Sequence, residues 1–209
     1  IGERFGDARR TELLVGEVLS LEDEDLIEEE EIVITLTNNG YIKRVANTEF
    51  RAQRRGGRGV QGMGVHEEDY VQTLISCSTH DTLLFFTNAG KVYRAKGYEI
   101  PEYGRMAKGI PVINLLGIDS NEQIQTIVPV TKEDQAGTGY LFFTTRLGVV
   151  KRTSVTAFAN IRSNGLIAIG LKEDDELVNV LKTTSSDVMI IGTHTGYSVT
   201  FHEEAVRDM

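Results

Sequence analysis

At 209 residues, 40% of them hydrophobic, the chain can bury a sizeable core as one large all-β domain or two small ones. A single cysteine, Cys77, excludes an internal disulfide, and no apolar run approaches the roughly 18 residues of a membrane helix, so a soluble protein in a reducing, cytoplasmic setting is expected. The net charge of −9 speaks against a nucleic-acid partner only as an average, because the charge is unevenly distributed.

Residues 1–31 read as a linker. Ile1-Gly2-Glu3-Arg4 resembles the interior of a longer protein and carries no secretory signal. Between Glu17 and Glu31 stand nine acids and no Lys or Arg, and the other 22 acids balance the 22 bases. The run is either a solvated linker or an imitation of nucleic acid that competes for a basic patch.

From Ile32 the chain repeats. Ile32–Thr37, Leu83–Thr87, Tyr140–Thr145 and Val188–Thr193 each read as a strand. Each is followed by a turn containing Gly40, Gly90, Gly148 or Gly196, and then by a second strand. A further signature recurs: Arg58-Gly59-Val60, Lys108-Gly109-Ile110 and Asn164-Gly165-Leu166, each followed by a polar turn and another strand. Units of about 50 residues with four strands have the dimensions of propeller blades. The expectation is an all-β repeat domain over 32–209, with blades at about 32–81, 82–139 and 140–187 and a partial blade at 188–209, cut from a larger ring.

Six bases and one acid, Glu49, lie between Lys43 and Arg58. Gln53-Arg54-Arg55-Gly56-Gly57-Arg58-Gly59 is their centre. Planar guanidinium forks pair with phosphate, and glycines let the backbone approach closely, so this box suits an extended anionic backbone. Third and fourth after the turn glycines stand Lys43-Arg44, Tyr93-Arg94 and Lys151-Arg152, a periodic basic rim to which Lys108 is added. Lys91, Lys96, Arg105, Arg146 and Arg162 are secondary candidates. Phosphate contacts of this kind position duplex DNA without reading sequence. Blade four departs from the pattern, with Val199-Thr200. Tyr41, Tyr93 and Tyr103 read as packing residues.

The box, the preceding Thr37-x-x-Gly40-Tyr41-Ile42-Lys43-Arg44 hairpin, Thr79-His80-Asp81 and the repeat period together resemble the C-terminal domain of the DNA gyrase A subunit. That resemblance covers essentially the whole chain, including Phe5-Gly6-Asp7-Ala8-Arg9-Arg10-Thr11, which is similar to the end of the family's cleavage domain. It implies a β-pinwheel whose blades exchange strands, with Gln53, Arg54, Arg55, Gly56, Gly57, Arg58 and Gly59 as the box required for supercoiling. It also implies chiral wrapping of duplex DNA for negative supercoiling by an A2B2 holoenzyme, with ATP and Mg used on other domains. Topoisomerase IV, whose box is degenerate or absent, is the neighbouring alternative, and a propeller-like protein-interaction scaffold is the alternative of a different class.

Other motifs carry little. Gly57-x-Gly59-x-x-Gly62 lacks the βαβ unit of a dinucleotide site. His66, His80, His194 and His202 offer no metal-ligand spacing. No catalytic residue, metal or cofactor is expected in this chain.

Overall fold

The computed structural model describes residues 23–50, 63–64, 68–137 and 139–209. The box, Gln53 to Gly59, lies outside the described residues, as do residues 1–22 of the linker.

Thirteen strands in antiparallel sheets form the framework of the described residues. They are β1 (Glu31–Thr37), β2 (Tyr41–Ala46), β3 (Val71–Ser78), β4 (Thr82–Thr87), β5 (Lys91–Lys96), β6 (Ile110–Pro111) and β7 (Ile124–Val130). After a short helix α1 (Lys132–Ala136) follow β8 (Tyr140–Thr145), β9 (Val150–Ser154), β10 (Leu166–Ile167), β11 (Leu177–Thr183), β12 (Val188–Gly192) and β13 (Ser198–His202). No helix among the described residues is long and apolar enough to cross a membrane.

The hairpins are built by one device used four times. The amide of each turn glycine donates to the carbonyl of the threonine three residues before it, Thr37, Thr87, Thr145 or Thr193, at 2.9–3.0 Å. At Gly40 φ is +81°, a left-handed conformation that costs a residue with a Cβ about 1–2 kcal/mol. In three of the turns the same threonine's hydroxyl also accepts from the amide four residues on, those of Tyr41, Val149 and Tyr197. A threonine before a glycine therefore closes the loop and starts the return strand.

The sheets do not coincide with the sequence units. The first has the order β3-β1-β2-β6 and the second β7-β4-β5-β10, so each takes its fourth strand from the following unit. This strand exchange explains why the two sequence signatures recur together. The amide of Val112, just past β6, donates to the carbonyl of Gly40 at 2.8 Å, and those of Ala168 and Ile169 donate to Gly90. Each signature thus docks on the hairpin turn of the preceding blade. At Gly109, where φ is +76°, a Cβ would stand 2.2 Å from the Ile42 carbonyl oxygen, so only glycine lets the chain cross there.

Stacking of the sheets face to face makes the core. Leu83 and Phe85 point into one cluster with Ile32, Ile34, Leu36 and Ile42 of the first blade. Leu84 and Phe86 point into a second with Leu141, Phe143, Val155 and Phe158 of the third. Every residue of β4 is consequently buried, and its middle, Leu83 to Phe86, is a continuous apolar run without alternation. Phe86, Phe143 and Phe158 pack as a triad, with centroids 5.5–6.1 Å apart. β7 lies beside both β3 and β11, so these three strands form the inner side of their blades and the exchanged strands β6 and β10 form the outer edge.

Candidate nucleic-acid interface

Of the pairs that follow the first three turn glycines, Lys43-Arg44 and Tyr93-Arg94 have the first residue buried and the second nearer the surface, whereas in Lys151-Arg152 the arginine is the more buried. Lys43 is fully buried, and its Nζ donates to the carbonyls of Gly104 at 3.2 Å and Arg105 at 2.5 Å. Burial holds its ammonium below the usual lysine range. Lys43 is thus no surface cation, which corrects its assignment to the rim: the segment arriving from the next unit covers it and draws on its charge. Lys151 is half-buried; it donates to the Ala168 carbonyl at 2.8 Å and lies 5.9 Å from the Phe143 ring centroid. Burial likewise lowers its pKa. It faces a carbonyl of its own unit, in the stretch that leaves to dock on the second blade, rather than a segment arriving from the next unit. Tyr93, in the equivalent place on blade two, is buried against Gly165.

The arginines one residue later mark the crossing point. Arg44 pairs with Glu102 at 3.5 Å, its side chain 19% exposed. Arg94 is exposed and donates to the Ala159 carbonyl at 2.7 Å. Arg152 is 9% exposed, lies 4.3 Å from the Tyr140 ring centroid, and its Nε and Nη1 have no hydrogen-bond partner among the described residues. Its burial corrects the rim assignment for Arg152 as well. Of the periodic pairs, Arg94 is the one that reaches solvent, with Arg44 partly shielded.

Outward-facing charge comes instead from the crossing segments. Lys108 and Arg162 are exposed and Arg105 is half-exposed. The repeat aligns the stretches holding them, Tyr103–Gly109 and Ile161–Gly165, with the box at Gln53–Gly59. Each leads directly into an outermost strand, β6 or β10. Two other secondary candidates are held by acids. Lys91 meets Asp119 at 2.7 Å and Glu122 at 2.5 Å, which raise its pKa above the usual lysine range. Arg146 pairs with Glu176 at 3.4 Å. The exposed bases Lys132, Lys172, Lys182 and Arg207 escaped the sequence reading because they occupy no repeated position. Only the fold brings them to the surface.

The family described as "DNA gyrase C-terminal domain, beta-propeller" matches residues 31–78, 81–131 and 139–184. The chain belongs to this family. The three matched ranges follow the repeat units, each beginning at one hairpin. Curated relatives agree: the DNA gyrase A subunit of Streptococcus pyogenes serotype M1 is 64% identical over all 209 residues, and that of Halalkalibacterium halodurans 53% identical over 207. The chain spans about a quarter of the length of these relatives. Among solved structures, a topoisomerase IV C-terminal domain is similar at a TM-score of 0.72 over 88% of this chain and 55% of its own. A DNA gyrase A C-terminal domain is similar at 0.68 over 86% and 57%, and both are 28% identical to this chain. A β-pinwheel of the gyrase C-terminal family is thus the architecture that carries these cations.

Proposed function

We propose that this gyrase C-terminal domain binds duplex DNA without sequence preference and wraps it around its outer edge, supplying the chiral DNA path that negative supercoiling needs. The observation that supports this reading is the place of the box's counterparts. The first crosses the outer edge of the first blade and presents exposed Lys108, and the second crosses that of the second blade, where Arg162 and Arg94 are both exposed and Arg94 bonds the Ala159 carbonyl. A sequence-independent row of cations suits a phosphate backbone, and each contact contributes about −0.9 to the slope of log affinity against log salt. Bending 20–30 bp through 40–90° costs about 1–6 kcal/mol, which several charge-assisted contacts can offset.

In this reading the box residues Gln53 to Gly59 start the wrap. The chain works beside the cleavage domain of the gyrase A subunit and with the gyrase B subunit, in an A2B2 assembly of the bacterial cytoplasm. ATP and Mg are used on other domains, and this chain performs no chemistry alone. The curated relatives, which are gyrase A subunits, favour supercoiling over decatenation.

A topology assay tests the reading. A nicked plasmid is ligated with the chain bound, and the trapped superhelical turns are counted for the wild type and for a variant carrying Arg54→Ala, Arg55→Ala and Arg58→Ala. Trapped turns that disappear in the variant are expected. Trapping unchanged by the three substitutions would remove the box from the wrap, and absence of DNA binding at low salt would favour the protein scaffold.

A further inference from the structure

The acidic segment is docked on the first two blades. Thr79, buried at the end of the first blade, donates its hydroxyl to the Glu28 carbonyl at 3.0 Å and accepts from the Glu30 amide at 3.0 Å, while its own amide meets the Glu30 carbonyl at 2.9 Å. His80 Nε2 lies 2.9 Å from the Ile27 carbonyl. This anchoring places Glu24 over the second blade. Its Oε1 is 3.0 Å from Lys96 Nζ at the end of β5 and 3.8 Å from Lys132 Nζ at the start of α1. Lys96 also donates to the His80 carbonyl, so its ammonium is held close to the blade surface.

The lysine Nζ atoms that meet a carboxylate here are the kind of group that meets a phosphate on DNA. A surface pair of this sort adds little to stability and is screened by salt. Its acid is, however, tethered to the domain and so competes at high effective concentration. Glu29, Glu30 and Glu31 are exposed and line one surface cleft with Lys132, where they repel an approaching phosphate chain. We propose that Lys96 and Lys132 form a phosphate-binding pair occupied by Glu24, so that the acidic segment acts as a built-in competitor of DNA for the second blade. The proposal rests on the DNA-binding reading. Lys96 holds the Glu24 carboxyl below its usual range, so the competitor is charged at neutral pH.

The test measures affinity for a linear duplex of mixed sequence as a function of salt, using the whole chain. Glu24→Gln keeps the side chain's shape and removes its charge. The expected slope of log affinity against log salt is steeper than wild type by about 0.9 if one lysine gains a phosphate and about 1.8 if both do, with binding near 0.1 M salt roughly eightfold tighter per lysine. Adding Lys96→Gln and Lys132→Gln should return the slope to the wild-type value. A chain shortened to begin at Glu28 carries the same expectation, should Glu24→Gln fail to fold. Equal slopes for the wild type and a folded variant would overturn the competitor, leaving the DNA-binding reading intact. No binding by either would overturn both.

Discussion

Lys43 and Arg94 look alike in the sequence, two bases a few residues past a turn glycine, yet one ammonium is buried and the other charge reaches solvent. The difference comes from the exchanged segment: Lys43 finds its acceptors 61 and 62 residues further along the chain, a separation that no local pattern reports. Charge-assisted hydrogen bonds contribute about 1.5–3 kcal/mol, and orphaned buried carbonyls cost about 1–3 kcal/mol. The desolvation of the ammonium offsets part of this. Lys43→Met should therefore lower stability by about 1–3 kcal/mol in urea unfolding and leave the salt slope of DNA binding unchanged. Arg94→Ala should do the reverse, flattening the slope by about 0.9 with little loss of stability. A flattened slope in Lys43→Met would contradict the inward assignment.

At the scale of elements, the hairpins were legible because their closure is local. Threonine, glycine and the following apolar residues sit close together along the chain, and the structure uses them as turn and strand in all four units. The recurrence of the second signature was also legible, but its partner was not. β6 and β10 are two residues long, too short to declare which hairpin they join. Two glycines separate local strain from crossing. Gly148 has φ +81° with nothing within 4 Å of the place a Cβ would occupy, whereas at Gly109, φ +76°, that place lies 2.2 Å from a backbone oxygen. Gly148→Ala should cost about 1–2 kcal/mol, the left-handed strain alone. Gly109→Ala should cost about 2–5 kcal/mol, because the exchanged strand must also shift. Equal losses in denaturant midpoint would show that the crossing is not tight.

For the whole molecule, stability comes from stacking one blade on the next. The second blade is covered on both faces, whereas on β12 Val188 and Ile190 are 53% and 71% exposed, and β13 leaves Val199 53% exposed. β12 and β13 pair only with each other among the described residues, and an isolated two-stranded ribbon is marginally stable in water. Amides of β12 and β13 should therefore exchange with solvent through local opening, at a free energy well below that of β4, in hydrogen-exchange measurements on this chain. Matching protection would mean that all the blades unfold as one unit.

The sequence alone determined the strand-turn-strand units, their period, the uneven charge and the box, since each is written in residues close together along the chain. It could not assign the cations. Whether a lysine faces solvent, a carbonyl or a glutamate depends on which distant segment crosses above it. The tertiary structure decided that through strand exchange, which turned Lys43 inward and left Arg94 outside, and through the docking of the acidic segment, which brought Glu24 to Lys96. Hydrogen bonds and burial act over a few ångströms in space, and the partners of Lys43, Arg94 and Lys96 stand 61, 65 and 72 residues away in the chain.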